Sequence, residues 1–305
     1  MAAAPDDDPR SLLTEATVAE LRRHPDLWAT AKGHADEAVE RFTRLEEPFR
    51  WMVKDQFRVG ITYTAMLLRA APQGLSAATL TAACKDMDIS SPGRVRQFLS
   101  RGLQYGEIVT TPGSEYWTKR DLVLGPGFFQ YFSAVVRNDM KHAAVFAPET
   151  VDGFPLADHE ASLLHYILVS GFLQQAQPDL FRNQPGHPMY IFGHREAGMF
   201  TLAHLLRSQP LDRARFLDEA PLSRSDLARR FGVSRVHINK LLSDAAVDGL
   251  LTCPSPDRVV FSQRMSDAFE RQYALLFLWI RVSTAIAWAT LPAGSLAFAQ
   301  SVSGE

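Results

Sequence analysis

The sequence predicts a mainly α-helical chain with small β-hairpins, built from two similar halves. Three observations carry this. Apolar residues recur at helical spacing through most of the chain. Two segments each read as a helix, a short turn, a second helix and a hairpin. Short stretches of the first half reappear, in order, in the second. The 305 residues suffice for two domains of ordinary size, each burying its own core. At 46% hydrophobic and 22% charged, the composition excludes a disordered, collagen-like or disulfide-stapled chain.

The repeat is visible in residues. GITYTAMLLRA (60–70) is matched by GMFTLAHLLRS (198–208). Leu75-Ser76 and Leu80 are matched by Leu222-Ser223 and Leu227. SSPGRVRQFLSRGLQYGEIV (90–109) aligns with VSRVHINKLLSDAAVDGLLT (233–252), pairing Ser91, Leu99, Ser100 and Gly106 with Ser234, Leu242, Ser243 and Gly249. The spacing between matches drifts, which implies short insertions between conserved-length elements.

The second unit is the clearer. Ser223 is a good N-cap, and Asp226 three residues on is placed to return a bond as in a capping box. Leu227, Ala228 and Phe231 follow at helical spacing, and Gly232 supplies the left-handed residue of a tight turn. Ser234 caps the next helix. Its residues Ile238, Leu241, Leu242 and Ala245 point inward, which leaves Arg235, His237, Asn239 and Lys240 facing out. After Gly249, Leu250-Leu251-Thr252 and Val259-Val260-Phe261 read as two short strands around a proline-containing turn.

The first unit is a weaker copy. A helix over 76–84 precedes a longer turn, and Ser91 or Ser90 caps the second helix, with Pro92 at a position that needs no amide donor. Val95, Phe98 and Leu99 face the core; Arg94, Arg96, Gln97 and Arg101 face out. Segments 107–111 and 116–123 read as strands around Pro112-Gly113.

Helix, glycine turn, helix and hairpin together form the winged helix-turn-helix arrangement. The run LSRSDLARRFGVSRVHINKLLSDAAVDGLL resembles the winged helix-turn-helix of bacterial transcriptional regulators, and the whole resembles MarR-like regulators with two such units in one chain. The resemblance implies a mainly α fold with β-wings, flanking helices forming a dimer-like helical core, and a small-molecule effector between core and reading unit. It implies binding to double-stranded DNA, by a monomer acting as a pseudo-dimer or by a homodimer. Positive charge gathers where such a protein needs it. Net charge is −2 overall, yet 222–243 holds five basic residues against one acid, and 75–101 holds four against two.

Roles follow from chemistry. Arg235 and Asn239 have the side chains that recognise guanine and adenine edges in bidentate fashion. Lys240, Arg224, Arg229 and Arg230 suit phosphate, and Ser234 and His237 stand at the same helix start. Ser91, Arg94, Arg96, Gln97 and Arg101 are the first unit's counterparts. Arg258, with Lys119 and Arg120, would let the wings approach the backbone or minor groove.

The expected layout is a flexible tail over 1–10, then 11–145 with the first unit at about 60–125. Residues 146–305 follow, with linker helices, the second unit at about 196–262 and an apolar helix at about 265–291. That last helix is near the minimum length for a membrane span, but Arg281 at its centre favours a helix buried in protein, and no membrane partner is expected. The acidic start MAAAPDDDPR lacks the pattern of a signal peptide, and two cysteines fit a reducing, cytoplasmic setting. No cofactor, metal site or catalytic residue is expected: His159, Glu160 and His165 lack the spacing of a helical zinc site, and no phosphate loop or nucleophile elbow occurs. Trp51, Tyr63, Phe172, Phe200 and Trp279 read as core or interface aromatics. Cys84, in the first unit's turn region, could sense oxidants but reads rather as a small buried residue. The alternatives are a plasmid-type replication initiator with two winged helices, disfavoured by the net charge, and a winged-helix scaffold that binds protein.

Overall fold

The computed structural model describes residues 8–113, 116–181, 185–210 and 213–292. In chain order the helices of the first half are α1 (Glu15–Arg22), α2 (Leu27–Arg44), α3 (Glu47–Met52), α4 (Gln56–Ala70), α5 (Ala77–Asp86) and α6 (Pro92–Tyr105). Strands β1 (Ile108–Thr110) and β2 (Leu122–Leu124) follow, then α7 (Pro126–Ala143), α8 (Glu160–Ala176), α9 (Pro178–Phe181), α10 (Pro188–His194) and α11 (Gly198–Arg207). The chain continues through β3 (Glu219–Pro221), α12 (Arg224–Phe231), α13 (Arg235–Val247), β4 (Leu251–Ser255), β5 (Arg258–Phe261) and α14 (Gln263–Thr290). Helix makes up 69% against two small antiparallel sheets, so the chain is mainly α with small β elements.

The chain divides into two compact units, each made of separate stretches. One combines residues up to Leu45 with Pro178–Trp279; the other combines Glu46–Gln177 with the residues from Ile280 onward. These differ from the sequence expectation of simple halves at 11–145 and 146–305. The reason is packing. The buried stripe of α2, with Leu27, Ala31, Ala35, Val39 and Phe42 at helical spacing, is satisfied by the later segment. Phe42 stacks on Phe200 of α11 with ring centroids 3.9 Å apart, and Phe231 of α12 lies 5.9 Å from Phe42. His34 of the same helix meets Tyr273 and Phe277 edge-on at 5.7 and 5.8 Å. Of the expected tail over 1–10, residues 1–7 lie outside the described residues; Asp8 caps a 3-10 turn at Pro9–Leu12.

In the other unit α4 packs on α8. The Tyr63 hydroxyl sits 2.9 Å from the Ile167 carbonyl and 2.8 Å from Ser170 Oγ, and the Leu67 methyls lie against Gly171. A 3-10 stretch at Pro148–Ala157 packs on α7, and Gly153 there leaves no room for a β-carbon beside Thr284. Helices α2, α3 and α4 follow one another with short breaks at residues 45–46 and 53–55.

Among the described residues α14 is the one helix long and apolar enough to cross a membrane, and 56% of its most apolar window is buried within the protein. Arg281, the charge that argued against a span, pairs with Glu149 at 3.1 Å.

Each unit holds one helix pair followed by a hairpin. The paired glycines Gly106 (φ 75°) and Gly249 (φ 67°) both end the second helix in the left-handed region. At the turn between helices the two differ: Gly232 has φ 59°, whereas the earlier pair has Asp88 at φ 53°. A side chain at position 232 meets the left-handed penalty of about 1–2 kcal/mol. Gly232→Ala is therefore expected to lower stability by about that amount in urea unfolding. Gly93→Ala, inside α6 with open space at its β-carbon, should be neutral or stabilising.

Candidate nucleic-acid interface

Caps and packing hold the later helix pair. Ser223 Oγ accepts the Asp226 amide at 3.2 Å, and Ser234 Oγ accepts the His237 amide at 3.0 Å. Gly232 turns the chain while its amide bonds back to Ala228 and Arg229. Leu227, Phe231, Ile238, Leu241, Leu242 and Ala245 are buried, which turns the remaining face of α13 to solvent. The expected return bond of a capping box from Asp226 is replaced: its carboxylate takes Arg229 at 2.5 Å and Arg230 at 3.4 Å. Charge pairing competes better for that carboxylate than one backbone amide does.

The hairpin is more than two strands. β5 pairs with β4 and also with β3, in the order β3-β5-β4, and the Leu222 amide bonds the Asp257 carbonyl at 2.7 Å. The sequence did not announce β3, which has three residues and a proline. The earlier helix pair has a similar bridge: Ser76 bridges Asp121, and the Leu122 amide bonds the Leu75 carbonyl at 2.8 Å.

On α13, Arg235, Val236, Asn239, Lys240 and Ser243 are exposed. Arg235 and Asn239 have no side-chain partner among the described residues, and they stand one helical turn apart. The other candidates are engaged. Lys240 reaches Asp244 at 3.5 Å, and Arg195 pairs with the same carboxylate. Arg224 donates to the Pro256 carbonyl at the hairpin tip, and Arg258 pairs with Glu219 at 2.9 Å. His237, expected to face out, is half-buried, and its Nε2 donates to the Glu196 carbonyl at 2.9 Å. This ties the start of α13 to the loop before α11, whose Ala197 has a left-handed φ of 56°. Sequence reading missed both Arg195 and this tie, because their partners lie some 40 or more residues away.

The earlier helix pair presents less. Ser91 caps α6 weakly, accepting the Arg94 amide at 3.5 Å. Arg96 and Gln97 are exposed and unpartnered among the described residues. Arg94 lies over the Phe57 ring at 4.5 Å, and half-buried Arg101 lies over Trp51 at 4.4 Å while bonding the Tyr105 hydroxyl at 3.1 Å. Arg94 is exposed as expected and Arg101 only half so; both also cover aromatic faces by cation–π contact. Lys119 and Arg120 were expected on a strand. Lys119 ends a 3-10 turn at Trp117–Lys119, with Arg120 next, because β2 begins only at Leu122. Arg120 donates to Thr110 Oγ1 at 3.2 Å, and Lys119 lies 5.6 Å from the Tyr116 ring centre.

Other chemistry is occupied or closed. Among the described residues no three His, Cys, Asp or Glu gather as a metal site. His165 bonds the Thr290 hydroxyl of α14, and His187 and His194 make local bonds to the Met189 amide and the Tyr190 carbonyl. Cys84 is fully buried, and burial pushes its thiol up to about 11, so it stays protonated near neutral pH. Phe172, read as core or interface, is 62% exposed.

Two titratable groups lie beside α12. Partial burial works to raise the Asp226 carboxyl, but the charges and hydrogen bonds of Arg230 and Arg229 outweigh it and hold the group below its ordinary value. His204 of α11 sits edge-on to Phe231 at 6.1 Å, and its Nδ1 is buried without a partner. Burial, then the nearby Arg230 and Arg207, depress its pKa from 6.5 to about 4. As pH falls through 6.5 the unfolded chain takes up this proton first, while the folded chain resists until about 4. Stability is therefore fully present above pH 6.5 and declines toward pH 4. Urea midpoints measured from pH 7.5 downward should show that decline, and His204→Leu should flatten it; equal slopes in both proteins would remove His204 as the cause.

No protein-family model, curated protein or solved structure matches this chain.

Proposed function

We propose that this chain is a sequence-specific, double-stranded-DNA-binding transcriptional regulator that acts in the cytoplasm and has no catalytic step. In this reading each helix pair with its hairpin is a winged helix-turn-helix, and α13 and α6 are the recognition helices. The observation that carries it is exposed Arg235 and Asn239, without a side-chain partner among the described residues and one turn apart along a flank of a helix whose other side is buried. A helix of about 10–12 Å diameter fits a major groove of about 12 Å. These two side chains match the bidentate donor and acceptor pattern of guanine and adenine edges. The buried inward face of α13 supports this reading, because a recognition helix must be held in place.

Phosphate contacts would come from Lys240 and Arg229, whose present partners are carboxylates on their own helices that a phosphate can replace. α6 offers Arg96 and Gln97, a smaller set, so it would contribute less to specificity. The two readers differ, and an asymmetric site suits them better than a palindrome. The MarR-like resemblance supports a pseudo-dimer in one chain and leaves room for a small effector. A protein-binding scaffold is the second reading, favoured by Val236 and Val247, which are 75% and 84% exposed on α13.

The test uses duplexes selected from a random library by the full chain. Arg235→Ala should cost about 1–3 kcal/mol in binding and relax preference at one base pair. Lys240→Ala should weaken all sequences uniformly and by less. Undiminished binding by both variants would remove α13 as the reader.

A further inference from the structure

We propose that Val236 reads the 5-methyl group of a thymine; the inference rests on the DNA-binding reading and deepens it. At about 100° per residue, Ile238, Leu241, Leu242 and Ala245 centre the buried face of α13. Val236, Lys240, Ser243 and Val247 then fall within about 30° of the opposite direction, while Asn239 and Arg235 lie farther round, on one flank. Val236 is the member of that crest nearest the capped N-terminus, in the first turn of the helix, the turn that a recognition helix brings to base edges.

Nothing in the fold asks for valine there. Its side chain is 75% exposed. A β-branched residue is also a mediocre choice for an open helix position, where lysine, glutamate or alanine serve better. The repeat supplies an internal comparison. Aligning Ser234 with Ser91 sets Val236 against Gly93, and a β-carbon built on Gly93 meets nothing within 4 Å. Packing shapes this position in neither copy. An apolar, branched group at the crest, flanked by a free arginine and a free asparagine, has the chemistry of thymine-methyl recognition beside polar base contacts. It also makes the two readers unlike at their crests, one bearing a methyl-sized contact and the other bare backbone.

The experiment takes the duplex enriched by the full chain from a random library and replaces each thymine in turn with deoxyuridine, which deletes only the methyl. Affinities are measured for the natural chain and for Val236→Ala. Alanine favours the exposed helix, so the variant keeps its fold, and an unchanged circular dichroism melt verifies this. At one thymine the natural chain should lose about fourfold in affinity, the worth of one buried methyl, while Val236→Ala loses almost nothing there. Equal losses for both proteins at every thymine, or none for either, would overturn the role of Val236 while leaving DNA binding intact. A library with no enriched sequence would overturn the DNA-binding reading itself. In that case Val236 would belong to a protein-binding face.

Discussion

The contact on which one whole unit depends is aromatic. Phe231 closes α12, Phe200 lies on α11 and Phe42 on α2, with ring centroids between 3.9 and 6.2 Å. Rings of this size bury large areas and favour offset or tilted geometries, so they fix angle as well as distance. Because Phe231 is the last residue before Gly232, that cluster also sets where the turn begins and hence where α13 starts. A helix that distinguishes sequences must be positioned within a fraction of an ångström, and a packed core supplies such rigidity more reliably than surface ion pairs do.

Charge in this protein is arranged to cancel locally. Asp226 takes up Arg229 and Arg230, Asp244 takes up Lys240 and Arg195, and Glu219 takes up Arg258. The net positive count of residues 222–243 therefore overstates the field that a ligand would meet. In the proposed reading this matters for the balance between affinity and specificity. Exposed pairs are worth little to the fold and exchange readily for phosphate. The unpaired Arg235 and Asn239 cost nothing to free. Such a surface would bind non-cognate DNA weakly and discriminate through few, direct contacts.

Much of the local structure was legible in the residues. Ser76, Ser91, Ser223 and Ser234 all cap the helices they precede, and Gly106, Gly232 and Gly249 all adopt left-handed backbone. These are short-range demands: an orphan amide needs a nearby oxygen, and a left-handed turn position favours glycine. The inward sets Ile238, Leu241, Leu242 and Val95, Phe98, Leu99 are likewise written in spacing alone. The outward sets were legible only by subtraction, and subtraction failed at half-buried His237 and Arg101. Each is on the correct side of its helix yet meets a carbonyl or ring from another element.

What the sequence alone determined is the two helix pairs with their hairpins, the serine caps of those helices and the side of each that is buried. These follow from periodicity and from hydrogen bonds closed within a few residues. Only the tertiary structure decided the rest. It assigned α1 and α2 to the unit of α12 and α13, gave β3 an edge beside β5, and chose which cations keep an open face. An apolar stripe specifies that it must be covered but not by what, and a surface arginine carries its charge without naming the carboxylate or aromatic ring that will claim it.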